Sequence, residues 1–252
     1  MGVNTVGARP SLPGFASVIG GAILTFLFLI VGISEFGWAL VLPIHGFVLP
    51  TAPVGSCLVT GWGARIYFRR PFRVTLVVAA LLLLLVAASA WISRAFYDVS
   101  FDGQAYQQEG VYQLAHGWNP LFTRYISPIS IDQDVKLIHF PKGSWIIAAA
   151  MYRLTGRIET GKFANILFVG AAFFMALAAF AGSRKKLSAW PVVMAVLVAA
   201  NPVALCQIFT FYVDGQLASL LVCLAALCYL CVADGNTWVN LLLLETAVLI
   251  IQ

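Results

Sequence analysis

The feature that most constrains this chain is an apolar run, VTLVVAALLLLLVAASAWIS, which fills positions 74–93 without a charged residue. A helix needs about 20 such residues to cross the hydrocarbon core of a bilayer. Inside a bilayer the backbone must satisfy its own hydrogen bonds, so the run predicts a transmembrane α-helix. The whole chain agrees, since 61% of its 252 residues are hydrophobic and 10% are charged, against about 25% charged in soluble domains.

Similar segments recur along the chain and predict an all-α, polytopic membrane protein with about seven transmembrane helices. The expected spans are 15–33, 38–60, 74–93, 161–181, 190–206, 216–232 and 238–252. The second contains Pro43, Pro50 and Pro53, which favour a kinked or broken helix. The apolar pattern is still running at Gln252, which predicts that further spans follow in a longer protein.

Basic residues between the spans predict their orientation. Arg65–Arg73 and 183–186 are the two basic loops, and such loops face the cytoplasm in membrane proteins. The net charge of +5 is therefore interpreted as an orientation signal rather than as nucleic-acid binding. We expect two N-terminal spans and a cytoplasmic basic loop in 1–73, followed by a transmembrane region in 74–252. The N-terminus is then cytoplasmic, and the polar loop 94–160 is external.

Two acids, Asp98 and Asp102, directly follow the third span. Ionisable residues at the edge of a membrane are costly and usually functional. Their four-residue spacing puts both on one face if the segment is helical, whereas Gly103 favours a turn. Asp102 has two interpretations, which the sequence leaves open. It is a general base that takes a proton from a sugar hydroxyl, or it is the N-cap of a helix over 104–115.

The predicted external face carries the other candidate groups. A cation such as Lys142 or Arg124, or a bound metal, would stabilise a phosphate leaving group there. Asp132 and Asp134 form an Asp-x-Asp that is a candidate metal pair. The segment 144–154 is predicted to be an amphipathic helix at the membrane interface. The aromatic residues of this region fit either an interfacial belt or stacking on sugar rings; they are Tyr106, Tyr112, Trp118, Phe122 and Tyr125.

The order of motifs in this region carries a resemblance. Phe101-Asp102-Gly103-Gln104-Ala105-Tyr106 follows the third span, and His116-Gly117-Trp118-Asn119-Pro120 ends the next predicted helix. Then come His139-Phe140-Pro141-Lys142-Gly143-Ser144-Trp145 and Glu159-x-Gly161-Lys162. This order resembles the N-terminal part of GT-C-fold membrane glycosyltransferases of the family 39 type. Those relatives are the protein O-mannosyltransferases and the lipid A aminoarabinose transferases.

The resemblance implies a function and roles for particular residues. The donor would be a polyprenyl-phosphate sugar, and the acceptor a glycan, lipid or protein on the external face. Asp102 would be the catalytic base, with Asp98 as the second candidate. Lys142 or Arg124 would meet the phosphate, and Asp214 would shape the site or hold a divalent metal, which some members use. His116, His139 and Tyr106 complete the predicted substrate-binding set.

Two other classes of function remain open at this point. A transporter or flippase of a lipid-linked or small polar substrate would need polar residues within the spans, where His45 and Glu245 are the ionisable candidates. A non-catalytic remnant is the other class. In each case the chain is expected to be a multi-pass protein of a bacterial-type inner membrane.

Overall fold

The computed structural model describes residues 12–124, 134–182, 189–233 and 235–252. Asp132, Tyr125 and the basic loop 183–186 lie outside the described residues. The described part is helical and shows no strands. Its α-helices are α1 Leu12–Ala39, α2 Val48–Tyr67, α3 Pro71–Ser93, α4 Gln108–Ala115, α5 Asp134–His139, α6 Gly143–Thr155, α7 Phe163–Ala181, α8 Ala189–Ala199, α9 Pro202–Cys206, α10 Asp214–Ala233 and α11 Thr237–Ile251.

Four helices of the described chain are long and apolar enough to cross a membrane. They are α1, α3, α10, and α7 together with the 3₁₀ turn that precedes it, Ile158–Lys162. This confirms an all-helical fold for the described residues, with four helices that are candidates for membrane spans. The count of seven spans stays a prediction, because α8 and α11 have only 11 and 15 residues.

The second predicted span begins later than the sequence suggested. Helix α1 continues to Ala39, residues 42–45 are not helical, and α2 begins only at Val48. Pro43 explains the gap, because its ring removes a backbone donor and disfavours helix in the residue before it. Pro50 lies in the first turn of α2, where its missing N–H costs little. Pro53 is the proline within that helix.

The fifth predicted span, 190–206, is also interrupted. Helix α8 ends at Ala199, and the Asn201 side chain accepts a hydrogen bond from the backbone N–H of Ala204 at 3.0 Å, which starts α9. Pro202 occupies the first turn of α9, where proline fits best. At about 1.5 Å per residue, α8 is too short to cross a core about 30 Å thick.

The helix predicted at 144–154 is present as α6, but it lacks the exposed face of an interfacial helix. The six consecutive residues from Ile146 to Met151 are all buried. Six residues cover more than a full helical turn, so the middle of α6 is enclosed on every side. It packs against α4, α1, α2 and the 3₁₀ turn. The sequence could not show this, because burial depends on which helices surround the segment.

Contacts between distant segments sort the helix ends into two groups. At one end, the Asn119 side chain donates to the carbonyl of Trp38 at 3.0 Å, and the N–H of Gly143 donates to the carbonyl of Gln252 at 3.0 Å. At the other end, the Asn236 side chain donates to the Tyr67 hydroxyl at 2.9 Å. The first group holds the loop rich in acids, and the second holds the Arg65–Arg73 loop. This agrees with the predicted alternation of the helices.

Candidate active site

The loop after α3 is organised around the buried side chain of Asp98, which is 3% exposed. Its Oδ1 accepts a hydrogen bond from the N–H of Ser100 at 2.8 Å, and its Oδ2 accepts one from the N–H of Phe211 at 2.6 Å. Both carboxylate oxygens are therefore occupied by backbone donors. The bond to Phe211 joins the loop to the turn that precedes α10, more than a hundred residues away.

An ion pair between Lys162 and Glu159 lies next to the backbone of Asp98. The Lys162 ammonium, with its residue 1% exposed, pairs with Glu159 and also donates to the carbonyl of Phe96. Glu159 in turn accepts from the backbone N–H of Asp98 at 3.3 Å. The motif Glu159-x-Gly161-Lys162 is therefore part of the support for the loop.

Asp102 differs from Asp98 in both position and exposure. The helical segment begins at Phe101, so Asp98 lies before it and the two acids do not share a helix face. Asp102 is half-buried, and its side chain makes no capping hydrogen bond. The capping interpretation of Asp102 is therefore wrong in this structure. A π-helical turn, Gly103–Gln107, follows it and leads into α4; such turns are frequent at functional sites.

Gly103 is required here for space rather than for an unusual backbone angle. It lies within the helical turn and does not have a positive φ, so the predicted turn is wrong. A Cβ built on Gly103 would lie 2.7 Å from Cγ of Asp98, and still closer to an oxygen of that carboxylate. The helix start that carries Asp102 is thus packed directly on the Asp98 side chain.

The carboxylate of Asp102 contacts the Tyr106 hydroxyl one turn along the helix. Tyr106 is 4% exposed, and its hydroxyl accepts a hydrogen bond from the Gln107 side-chain amide at 3.4 Å. Burial raises the pKa of Tyr106 to about 12, and the negative charge of Asp102 adds to the effect. Tyr106 therefore stays protonated at neutral pH, with its hydroxyl beside the Asp102 carboxylate.

Lys142 lies at the start of α6 among aromatic side chains. Its ammonium is 5.3 Å from the centre of the Trp145 ring and 5.9 Å from that of Trp118, within the range of cation–π attraction. It also donates to the carbonyls of Ile138, at 3.0 Å, and Phe140. Burial lowers the pKa of Lys142 to about 8.

Lys136 is a residue that the sequence reasoning missed. Its ammonium lies 4.4 Å from the centre of the Tyr106 ring, and the Phe140 ring meets Tyr106 edge-on at 5.5 Å between centroids. Because Phe140 also accepts from Lys142, a continuous series of contacts joins Asp102 to Lys142 through Tyr106 and Phe140. The short spacing of the two lysines around Phe140 was the available sequence signal.

A cavity of about 140 Å³ opens beside these residues. Its polar lining comes from Gln107, Ser144, Gln216 and Gln252, and its apolar walls come from α6, α7, α10 and α11. Pro141 and Gly143, the two neighbours of Lys142, line it as well. The Trp145 indole N–H donates to Gln107, which fixes one wall. The cavity lining is therefore largely apolar, with polar side chains that come from the ends of helices.

Among the described residues, the structure shows no contact that joins the other predicted site residues to Asp102, Tyr106 or Lys142. His116 is exposed at the end of α4, with its Nδ1 2.8 Å from the carbonyl of Tyr112 and its ring stacked on Tyr112. His139 and Arg124 are exposed. Asp214 is exposed at the start of α10 and accepts from the Gln207 side chain at 3.2 Å. Their roles stay predictions.

The possible divalent metal also stays a prediction. Among the described residues, no three or more His, Cys, Asp or Glu side chains are grouped so that they could hold a metal ion. Asp132, half of the Asp-x-Asp candidate, lies outside them. Cys228 and Cys231 are free thiols on α10, with Cys228 exposed.

Comparison with protein-family models, with curated proteins and with solved structures gave no match. The similarity to GT-C glycosyltransferases therefore rests on the order of motifs in the sequence. The function has to be argued from the site itself.

Proposed function

We propose that this chain is a membrane glycosyltransferase that uses a polyprenyl-phosphate sugar as donor and Asp102 as general base. The observation that carries the proposal is the placement of Asp102. It is a half-buried carboxylate next to the Tyr106 hydroxyl, and a series of contacts links it to a lysine beside a largely apolar cavity with a few polar side chains in its lining.

The proposed reaction assigns one role to each group. Asp102 takes the proton of an acceptor hydroxyl, whose oxygen forms a bond to the anomeric carbon of the sugar. The bond between that carbon and the phosphate oxygen breaks, and its electron pair leaves with the polyprenyl phosphate. Lys142 stabilises the charge on the phosphate. Tyr106 stays protonated and holds the Asp102 carboxylate in place.

The lining of the cavity supports a donor of this kind. Its apolar walls, including Phe168, Leu220 and Leu249, match an isoprenoid chain that enters from the bilayer. The Ser144 hydroxyl in the lining matches the hydroxyl groups of a sugar, and Trp145 offers an aromatic surface next to it. The acid-rich end would face the outside, because the basic loops of the chain are expected in the cytoplasm.

One observation favours transport as the second candidate. Glu245 is buried within α11, accepts a hydrogen bond from Thr25 of α1 at 2.8 Å, and lies one turn before Leu249 of the cavity wall. A carboxyl group at this depth is what a transporter uses to bind or couple a substrate. In transport the sugar–phosphate bond stays intact, whereas in glycosyl transfer it breaks.

A vesicle assay separates the two functions. The full chain is placed in membrane vesicles with polyprenyl phosphates that carry labelled sugars, and two quantities are followed: label released from the lipid and lipid-linked label that crosses the bilayer. The proposal predicts release of polyprenyl phosphate and transfer of the label, with Glu245→Gln close to wild type. Label that crosses while still attached to the lipid, and that depends on Glu245, would show a transporter.

A further inference from the structure

Three segments far apart in the sequence meet at Asp98. The loop from α3 supplies Asp98 itself, the turn before α10 supplies the N–H of Phe211, and the 3₁₀ turn supplies Glu159. The loop after α3 and the turn before α10 also contact each other through stacked aromatic rings. The Phe96 and Phe209 rings lie 4.1 Å apart between centroids, with 14° between their planes. The three segments are thus connected by both polar and apolar contacts.

The ion pair fixes the backbone on both sides of Tyr97. Lys162 holds the carbonyl of Phe96, and Glu159 holds the N–H of Asp98. Because Lys162 is almost fully buried and already paired, it is not available to bind a phosphate from solution. Burying this charge is costly unless its partners stay in place. The pair therefore resists any movement of the loop.

Two contacts transmit the position of Asp98 to the helix that carries Asp102. The Gln104 side chain donates to the backbone carbonyl of Asp98 at 3.0 Å. The backbone N–H of Gly103 donates to the Ser100 hydroxyl at 3.2 Å, and Gly103 has no room for a Cβ against Asp98. A shift of Asp98 would therefore move the start of the helical segment.

We propose that Asp98, Glu159 and Lys162 are positioning residues. They set Asp102 at a fixed place relative to the first turn of α10, and Asp98 does not exchange protons with the substrate. This inference rests on the proposed function for its effect on catalysis. The clamp itself, defined as Asp98, Glu159 and Lys162 with their backbone partners, is a property of the fold that can be measured without any activity.

Hydrogen exchange of the full chain in lipid nanodiscs tests the clamp. Asp98→Asn replaces one acceptor oxygen with an amide donor, so the 207–213 segment should exchange about tenfold faster or more, as expected for a lost hydrogen bond to a charged group. Glu159→Gln is a milder variant that keeps the fold testable. Glu109→Gln, the same change on α4, is the control and should leave 207–213 unchanged. Unchanged exchange in both clamp variants would overturn the proposal.

The pH dependence of sugar transfer then distinguishes positioning from base catalysis. The acidic limb of the rate profile reports the catalytic base. In Asp98→Asn we expect the rate to fall about 10- to 100-fold, as for a small misplacement of a catalytic group, with the acidic limb retained. Loss of the limb in Asp98→Asn would make Asp98 the base. If the wild type transfers no sugar, the proposed function fails, while the exchange result still decides whether the clamp exists.

Discussion

Lys142 shows at the scale of one residue how burial prepares a group for an anionic ligand. The ammonium is half-buried between two tryptophan rings, and its hydrogen-bond partners are neutral carbonyls. Desolvation without a negative partner disfavours its charged form and lowers its pKa to about 8. A bound phosphate would supply the missing negative charge and raise the pKa of the lysine again.

The affinity for the donor should therefore depend on pH. Lys142 is charged below about pH 8 and becomes neutral above it, whereas a phosphodiester keeps one negative charge throughout. Between pH 7 and pH 9 we expect the KM for the donor to rise about tenfold, the cost of a lost charge-assisted hydrogen bond. Initial rates across this range measure it.

Two variants test whether Lys142 is the cause. Lys142→Arg keeps its charge at pH 9, so its KM should stay low, and Lys142→Gln should have a high KM that does not change with pH. A rise in KM of the same size in the arginine variant would show that another group titrates.

The difference between Asp98 and Asp102 could not be predicted at this scale. The two acids stand four positions apart in the same loop, and only the resemblance ranked Asp102 above Asp98. The structure separates them because Phe211, far along the chain, occupies one oxygen of Asp98. The sequence predicted that Asp102 and Lys142 share one face of the membrane, which stays a prediction. It could not show that contacts through Tyr106 and Phe140 join them.

At the scale of helices, three elements meet at one tryptophan. Trp238 of α11 is fully buried, and its indole N–H donates to the Ser17 hydroxyl of α1 at 3.2 Å. Gly21 of α1 and Gly63 of α2 lie directly against its ring. This close packing was hard to predict from the sequence, because Gly21 and Gly63 lie on different helices and do not form a spaced pair within one helix.

Gly63→Ala should destabilise the bundle. The added Cβ would lie between 2.5 and 2.8 Å from atoms of the Trp238 ring, and overpacking of this kind costs about 1–3 kcal/mol. Gly32→Ala is the matched control, because nothing lies within 4 Å of its Cβ and alanine favours a helix by about 1 kcal/mol over glycine. Thermal unfolding in detergent should show a lower Tm for Gly63→Ala and no such decrease for Gly32→Ala. Equal Tm values would contradict this packing.

The helices differ in how well the sequence predicted them, for a physical reason. The predicted spans at 74–93, 161–181 and 216–232 match α3, α7 and α10 within three residues at each end, because an unbroken apolar run has only one way to satisfy its backbone in a membrane. The spans around Pro43 and Asn201 were placed incorrectly. There, a local proline or cap competes with a hydrophobic pattern that continues past it.

At the scale of the whole molecule, the helix ends form an acid-rich end and a basic end. The Phe15 and Phe68 rings meet at 6.3 Å, so the start of α1 lies near the Arg65–Arg73 loop. The end of α1 lies near Asn119, on the side of Asp102. Helix α3 therefore runs from the end that holds Arg69 to the end that holds Phe101. The positive-inside rule predicts that these two ends face opposite compartments.

Labelling of introduced cysteines should show this arrangement in intact cells. In a chain whose native cysteines are replaced, Phe101→Cys should react with a membrane-impermeant maleimide added outside, since position 101 is 78% exposed. Arg69→Cys should react only after the membrane is permeabilised. Labelling of both positions from outside would contradict a membrane between them. Labelling of Arg69→Cys alone from outside would show that the predicted orientation of the chain is reversed.

The proposed function depends most on Asp102 as the group that removes the acceptor proton. The most direct measurement is the single-turnover release of polyprenyl phosphate from a saturating labelled donor, in wild type and in Asp102→Asn, at equal protein and equal Tm. We predict that donor binding is retained and that the rate falls about 10²- to 10⁴-fold, the usual contribution of a general base. A rate in Asp102→Asn within about threefold of wild type would contradict this role for Asp102, since the loss of a general base costs far more.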